Sequence, residues 1–553
     1  MKKITLSIVF VFILTNLFCQ NNDTIIKIFT NKSLNYDEKF KIISSNEIQK
    51  DERTIKNIRR AEWYLSTRLD NNGRLDAYTT GLKKAIDKRY RNDNLYRSVT
   101  NSINQNWKYI GELNNPEQEF EIDGTNLIKY ENGEGIGMIE SIWVAPDNPH
   151  YVLAGACTGG LWKTENAMDD KPVWECITDN SVVYGGVWDI AVDPNNTNNI
   201  YVVTTAYANG LLSYDKHSYG IFKSNDGGAS WEPISTSTIN LSNEHLTSIE
   251  FLNTNPTSLI VTTNSTIYKS INEGTTWTVE LPAQSNILFN HIKSNPNNNL
   301  ELIIEGYNLV GNSTNFGFYY SDDGGDSWSL IQIPTYTCPI GRLQAEFDKD
   351  PLSKLAYIVY IEEKKSSCSS NQNVQDIYIE TWDGTTLSPF GVIQNNTNDA
   401  NGNKIKIRTY ETHGDFLLTP DEVFFIGYVD LGNFIKQSSD IVLEDYVSSD
   451  FKPYIHYRHV DIRCLAYSID EYGNEVVFIG NDGGINRSIK TPTGREDADI
   501  TAGLQLSQIY SVAISQKDPN IFIVGMHDNG TDKRISVNEW DPISRFGSYD
   551  GDG

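Results

Sequence analysis

Histidine and aspartate residues lie close together at several points in the second half of the chain. His459 precedes Asp461 by two residues, and His527 directly precedes Asp528. An imidazole beside a carboxylate can bind a divalent cation or act in acid and base catalysis. Asp and Asn are also common turn residues, because their side chains accept hydrogen bonds from nearby backbone N–H groups. A similar His-Gly-Asp sequence occurs at 413–415. The candidate ligand-binding residues are His459, Asp461, Asn481, Asp482, His527, Asp528, Asn529 and Asp550.

The elements that must position these residues are short strands. From about Gly137 onward, runs of Val, Ile, Tyr and Phe alternate with clusters of Asn, Asp, Gly and Pro, which is typical of strands separated by turns. A period of about 45 to 60 residues with four strands per unit indicates a β-propeller. We therefore predict an all-β fold of four-stranded blades that start near residues 137, 185, 246, 289, 342, 413, 461 and 509.

Eight blade starts leave two interpretations open. About seven blades form a ring and the chain runs into a second propeller, or the chain is a fragment of a longer protein. The last unit, 509–553, ends before the outer strands that a complete blade needs.

The connections after strand two and after strand four emerge on one face of a blade, which we call the loop face. Six of the candidate residues, His459, Asp461, Asn481, Asp482, His527 and Asp528, are expected to converge there, joined by Asp550 if the next blade closes over the site. Asp461, Asp482 and Asp528 are expected within about 15 Å of one another, the span of a single pocket.

A second motif recurs at the turn between strands three and four. It reads Ser-x-Asp-x-Gly-x-Ser-Trp at 321–328 and 224–231, and 270–277 carries Asn in place of Asp. The Asp or Asn accepts hydrogen bonds from its own turn, the glycine supplies a positive φ, and the tryptophan is an apolar anchor beneath the turn. The structural residues of this motif are Asp226, Trp231, Asn272, Trp277, Asp323 and Trp328.

This motif resembles the Asp-box, or BNR, repeat of sialidases, sortilin-type receptors and two-propeller xyloglucan-degrading glycosidases. The resemblance implies an Asp-box β-propeller, and with the N-terminal pattern described below it indicates a secreted bacterial one. It does not decide the function, because these families share the motif and differ in chemistry.

The glycosidases place a catalytic Asp shortly before a Gly-Gly in the first blade, where this chain has Cys157 or Thr158. Sialidases bind a carboxylate through a cluster of arginines, and this chain cannot supply the member from an early blade, since no Arg occurs between Leu113 and Gly341. Two functions remain. One is a binding module for a glycan or protein ligand, and the other is a glycoside hydrolase that uses Asp482, Asp528 or Asp461, with two carboxylates about 5 to 10 Å apart.

The N-terminal part differs from the propeller in charge. Residues 1–19 combine Lys2 and Lys3 with an apolar run, which predicts a secretory signal peptide rather than a membrane span. Cys19 as a lipid anchor is the alternative. Residues 20–115 show helical spacing of apolar residues. The chain through residue 115 carries a net charge of +8, from 20 Lys and Arg and 12 Asp and Glu. Since the net charge of the whole chain is −26, residues 116–553 carry −34. We predict a helical lead-in, a propeller over 116–508, and a further blade or second propeller from 509.

Partners and cofactors follow from export and charge. We expect an extracellular glycan or protein ligand, no nucleic acid, and no cofactor apart from a divalent cation as an alternative. Among the six cysteines, Cys338 and Cys368 emerge on one face of a blade and are the candidate disulfide. Cys157 and Cys176 belong to strands that a third strand separates, which disfavours pairing, and Cys464 on an apolar strand is expected to be a buried thiol.

Overall fold

The computed structural model describes Lys41 and residues 118–544 with gaps, of which the longer are 131–136, 208–215, 309–316, 334–339, 363–375, 394–414, 448–461 and 527–530. The predicted signal peptide, nearly all of the lead-in, and both Cys338 and Cys368 lie outside the described residues. The chain divides into two compact units, residues 1–108 with 207–217, and residues 109–206 with 218–553. The sheets below belong almost entirely to the second unit.

Eight antiparallel four-stranded sheets follow one another along the chain, after a hairpin of β1 (Gln118–Ile122) and β2 (Asn126–Tyr130). Sheets 1 to 4 consist of β3 (Ile139–Ala145), β4 (Asn148–Ala156), β5 (Leu161–Thr164) and β6 (Glu175–Cys176); β7 (Gly186–Val192), β8 (Ile200–Tyr207), β9 (Lys216–Ser224) and β10 (Glu232–Ile234); β11 (Leu246–Leu252), β12 (Ser258–Thr263), β13 (Ile267–Ser270) and β14 (Thr278–Leu281); and β15 (Ile287–Asn295), β16 (Asn298–Asn308), β17 (Gly317–Ser321) and β18 (Ser329–Gln332).

Sheets 5 to 8 consist of β19 (Ile340–Phe347), β20 (Ala356–Glu362), β21 (Ile377–Trp382) and β22 (Leu387–Ile393); β23 (Asp415–Leu418), β24 (Val423–Gly427), β25 (Leu431–Gln437) and β26 (Asp440–Val447); β27 (Ile462–Ile469), β28 (Glu475–Asn481), β29 (Gly484–Thr491) and β30 (Gly494–Asp499); and β31 (Ile509–Ile514), β32 (Phe522–Met526), β33 (Thr531–Ser536) and β34 (Glu539–Ser544). Within each sheet the strands pair in chain order, and a pairing of β16 with β19 also joins sheets 4 and 5.

Sheet 7 shows why these strands are apolar on both faces. Val476 and Phe478 pack in one core with Val152 and Ala154 of sheet 1. The alternate residues Val477 and Ile479 pack in another core with Leu417 of sheet 6. Since successive side chains of a strand point to opposite faces, sheet 7 lies between sheets 6 and 1, and the ring closes.

The other neighbouring sheets share cores in the same way, at the junctions of sheets 1 and 2, 3 and 4, 4 and 5, and 5 and 6. At the junction of sheets 2 and 3, Tyr201 and Phe251 pack with ring centroids 5.9 Å apart. Sheets 1 to 7 are therefore the blades of a closed propeller, which confirms the predicted fold class. The inner strand of each blade is its first, and these strands surround a central channel.

Sheet 8 lies outside this ring. It has four strands where the sequence indicated a unit without its outer strands, because β33 and β34 are short, polar and interrupted by Pro542. Its first strand leaves Ile509, Val512 and Ile514 more than half exposed. The interpretation of this unit as a further blade or the start of a second propeller stays a prediction.

Each Asp-box joins its blade to the preceding one. In the box of blade 2, the Asp226 carboxylate accepts a hydrogen bond from the backbone N–H of Ser230 at 2.8 Å. The Trp231 indole N–H donates at 2.8 Å to the carbonyl of Ile177, after the last strand of blade 1. Gly228, at φ +92°, lies against Ile177 so closely that a Cβ atom there would be 2.4 Å from its side chain.

A tryptophan hydrogen bond of the same kind closes the ring between blades 7 and 1. Trp174, which follows an incomplete copy of the motif in blade 1, donates its indole N–H to the carbonyl of Ile500 in blade 7 at 2.8 Å. Arg487 of blade 7 in turn donates to the carbonyls of Ala167 and Asp169 in blade 1, at 2.9 and 3.2 Å. Both contacts join residues more than 300 positions apart in the chain.

We expect Trp174→Ala to lower the free energy of unfolding by about 3 to 5 kcal/mol, because it removes a buried aromatic side chain at the closing junction. Trp174→Phe keeps most of the apolar contact and loses the N–H donor, so a loss of about 1 kcal/mol is expected. Denaturant unfolding measures both values. Equal midpoints for Trp174→Ala and the wild type would contradict the closing role of this residue.

Candidate functional site

Two of the eight predicted ligand-binding residues, Asn481 and Asp482, belong to the described part of the chain. The other six lie outside the described residues, and so does His413: His459, Asp461, His527, Asp528, Asn529 and Asp550. The predicted convergence of these residues on one groove stays a prediction.

Asp482 follows β28 and is engaged by Arg463. The Arg463 Nε donates to Asp482 Oδ1 at 2.5 Å, and Nη2 donates to Oδ2 at 2.9 Å. Arg463 occupies a β-bulge in the first strand, between Ile462 and Cys464. The Asp482 side chain is 2% exposed, and both of its oxygens are bound in this two-pronged ion pair. In this arrangement Asp482 holds the first strand of blade 7, a partner that the sequence pattern did not reveal.

Asn481 stabilises its own turn. Its Oδ1 accepts from the N–H of Gly483 at 2.9 Å, and its amide donates to Asn486 Oδ1 at 2.8 Å. Gly484 adopts φ +141°, and a Cβ atom there would lie 2.3 Å from the hydroxyl of Thr501. The Gly-Asn-Asp-Gly-Gly sequence therefore builds a tight connection in which both polar side chains serve the fold.

A cluster of charged residues lines the central channel, and of its members the sequence pattern pointed only to Asp415. We call it the channel cluster. Its centre is Lys293 of β15, whose Nζ lies 3.4 Å from Asp415 Oδ1 and 3.8 Å from Glu346 Oε2. Lys349 lies 2.7 Å from Glu346 Oε1. The members of the cluster come from the first strands of blades 2 to 6: Asp189, Glu250, Lys293, Glu346 and Asp415.

Some of these carboxylates also bind the backbone of the next blade. Asp189 Oδ2 accepts from the N–H of Ile249 at 3.0 Å and from the hydroxyl of Ser248. Asp415 Oδ2 accepts from the N–H of Leu465 at 2.9 Å. Because a first strand pairs with a second strand on one side only, its other edge needs such partners. The cluster thus fixes the spacing of the inner strands.

The electrostatics of the cluster follow from burial and proximity. Burial alone lowers the pKa of Lys293, but the carboxylates of Asp415, Glu346, Glu305 and Asp189 more than offset it, and the pKa is raised. Burial raises the pKa of Asp415, and Lys293, His291 and two backbone N–H groups reverse this to a net lowering. The Lys293 ammonium and the Asp415 carboxylate therefore stay charged together.

The described residues contain no group of three or more His, Cys, Asp or Glu side chains arranged to hold a metal ion. The described cysteines Cys157, Cys176 and Cys464 are thiols and do not form disulfide bonds with one another. Burial raises the pKa of Cys176 to about 11, and burial also raises the pKa of Cys464 well above its usual value. These thiols are therefore poor nucleophiles.

The comparisons with known proteins agree with this architecture. Residues 219–422 match the family model described as Sortilin-Vps10, "Sortilin, neurotensin receptor 3". This stretch contains the three Asp-boxes described above. The chain is a β-propeller that carries Asp-box turns. A comparison with curated protein sequences gave no match.

Solved structures of three GH74 enzymes are similar to this chain. An ancestral GH74 enzyme matches with a TM-score of 0.50 and 16% identity, over 74% of this chain and 54% of that one. The GH74 enzyme of Niastella koreensis gives 0.46 and 16%, over 74% and 61%, and the GH74 xyloglucanase of Xanthomonas campestris gives 0.48 and 11%, over 78% and 62%. This Asp-box propeller thus spans between 54% and 62% of the length of these proteins, and the likeness concerns the fold alone.

Helices long and apolar enough to cross a membrane do not occur among the residues that the structure describes.

We expect Lys293→Met to lower the free energy of unfolding by about 2 to 3 kcal/mol, because it leaves the Asp415 and Glu346 carboxylates without their shared cation in a partly buried site. Lys163→Met is the matched control. Lys163 pairs with the exposed Glu165 at 3.3 Å, so a change below about 1 kcal/mol is expected. Chemical denaturation measures both, and equal losses for the two variants would contradict the central role of Lys293.

Proposed function

We propose that this protein is an exported Asp-box propeller that acts as a binding module for a glycan or protein ligand. The ligand contacts the loop face, where the connections after strands two and four emerge. The candidate contact residues are His459, Asp461, His527, Asp528, Asn529 and Asp550, whereas the side chains of Asn481 and Asp482 are bound within their own blade.

The observation that carries this proposal is the state of Asp482. A carboxylate that serves as acid, base or nucleophile must contact the scissile bond, and a second carboxylate must lie on the other side of that bond. Both oxygens of Asp482 are instead bound to Arg463, in a side chain that is 2% exposed. The resemblance to the xyloglucan-degrading enzymes adds support, because Cys157 or Thr158 occupies the position of their first-blade acid.

The charge of the propeller narrows the ligand chemistry. Residues 116–553 carry a net charge of −34. A strongly negative surface repels anions and attracts cations. Neutral, hydroxyl-rich glycans and basic protein surfaces therefore fit this face better than sialosides, heparin or nucleic acid.

Export rests on the N-terminal pattern. Lys2 and Lys3 precede an apolar run that ends near Cys19, as in a secretory signal. The mature protein of the proposal begins at Gln20, and N-terminal sequencing of the protein recovered from a secreting host identifies this residue.

The functional test combines a glycan array with a reducing-sugar release assay on the mature chain. We expect retention of at least one neutral glycan class or a basic protein, without release of reducing sugar. The double variant His527→Ala with Asp528→Asn should weaken that binding about tenfold or more, as the loss of two polar contacts implies. Asp322→Asn, in an exposed Asp-box position at the opposite end of the strands, is the control and should leave binding unchanged.

The same test distinguishes a glycoside hydrolase, the second candidate function, from a binding module. Sugar release that disappears in Asp528→Asn or Asp461→Asn would establish the hydrolase and overturn the binding proposal. Binding that is unchanged in the double variant would place the ligand elsewhere on the propeller.

A further inference from the structure

Glu250 has fewer partners that stabilise its charge than the other carboxylates of the channel cluster: Asp415 and Glu346 have an ion pair, and Asp189 accepts three hydrogen bonds. It lies on β11, and its Oε1 accepts a hydrogen bond from the hydroxyl of Ser294 on β15. No Lys or Arg among the described residues lies within ion-pair distance of Glu250, whereas Lys293 is close to Asp415 and Glu346. The charge of Glu250 is thus not neutralised by direct contact.

The charged groups around Glu250 come from every inner strand beside it. Asp189 lies on β7, Lys293 on β15 together with His291, and Glu346 on β19. On β12 the residue opposite Glu250 is the apolar Ile260. Glu250 and four other carboxylates, those of Asp189, Glu305, Glu346 and Asp415, therefore interact with one ammonium.

Like charges in a poorly hydrated site cannot all ionise without cost, and the group with the weakest cationic contact is the one that keeps its proton. Burial is the main cause that raises the pKa of Glu250, to about 7, and Asp189 and Glu346 add to it, while the Ser294 hydroxyl and Lys293 act in the opposite direction. Burial also raises the pKa of Asp189 despite its hydrogen bonds to Ser248, Ile249 and Ile190.

We propose that the channel cluster is a proton-binding element, in which Glu250 takes up a proton as the ring folds and makes the ring more stable in mildly acidic than in mildly alkaline surroundings. The element acts independently of the ligand at the loop face. It would adjust the stability of an exported protein to the acidity of its surroundings.

The direction of the pH dependence of stability follows from the linkage between proton binding and folding. In the unfolded chain Glu250 titrates near its ordinary value of 4.5, and in the folded chain near 7. Between these values the folded protein holds a proton that the unfolded chain has released. The stability contributed by this group is therefore largest below about pH 4.5, falls as the pH rises toward 7, and is lost above that.

Thermal unfolding of Glu250→Gln and the wild type, at about pH 5.5 and about pH 8, tests this inference. Gln has nearly the shape of the protonated Glu and cannot ionise. We expect the variant to melt roughly 3 to 5 °C above the wild type at pH 8, and much closer to it at pH 5.5. A purely structural ionised Glu250 predicts the opposite sign at pH 8, so a melting temperature equal to or below that of the wild type would overturn the proposal.

Glu346→Gln is the matched control within the same cluster. It removes a carboxylate that contacts both Lys293 and Lys349, so it should lower the melting temperature at both pH values. A second readout does not depend on stability. Infrared difference spectra between pH 6 and pH 8 should show the loss of one protonated carboxyl band in the wild type and not in Glu250→Gln, and its presence in both would also overturn the assignment.

Discussion

The inner edges of the first strands impose the main constraint on this propeller. Each first strand pairs with its second strand on one side, and its other edge faces the channel with N–H and C=O groups that need partners. Side chains of the preceding blade supply them, as when Asp189 accepts from Ile249 and Asp415 accepts from Leu465. Carboxylates brought together for this purpose repel one another, and the Lys293 ammonium offsets that repulsion. The channel cluster is thus a consequence of how the ring satisfies its backbone.

A second set of links ties the blades together at the Asp-box turns. Lys223 of blade 2 lies 2.6 Å from Glu273 in the turn of blade 3, and Lys269 pairs with Asp326 of blade 4 in the same way. Glu273 has φ +56°, where the corresponding box residues are the glycines at 227 and 324. These links lie at the ends of the strands opposite the loop face.

The fold was predictable from sequence because its signals are local and repeated. Apolar runs, turn clusters and the Asp-box recur in each unit, so each of the eight first strands begins within two residues of its predicted start. The outer strands of sheet 8 were missed, since their polar sequences carry no strand signal. The channel cluster was missed for a different reason. Lys293 and Asp415 are 122 residues apart in the chain, and neither strand differs in pattern from its neighbours. The sequence named Asp482 as a ligand-binding candidate, which stays a prediction, and its bond to Arg463 depends on a bulge that no sequence pattern revealed.

The central claim is that one ammonium group joins the inner strands of different blades. A double-mutant cycle on Lys293 and Asp415 tests it most directly, with the free energies of unfolding of Lys293→Met, Asp415→Asn and the combined variant measured by chemical denaturation. The account predicts that the two losses are not additive, with a coupling energy of about 1 to 3 kcal/mol between blades 4 and 6. Additivity within about 0.5 kcal/mol, the behaviour of independent sites, would contradict it.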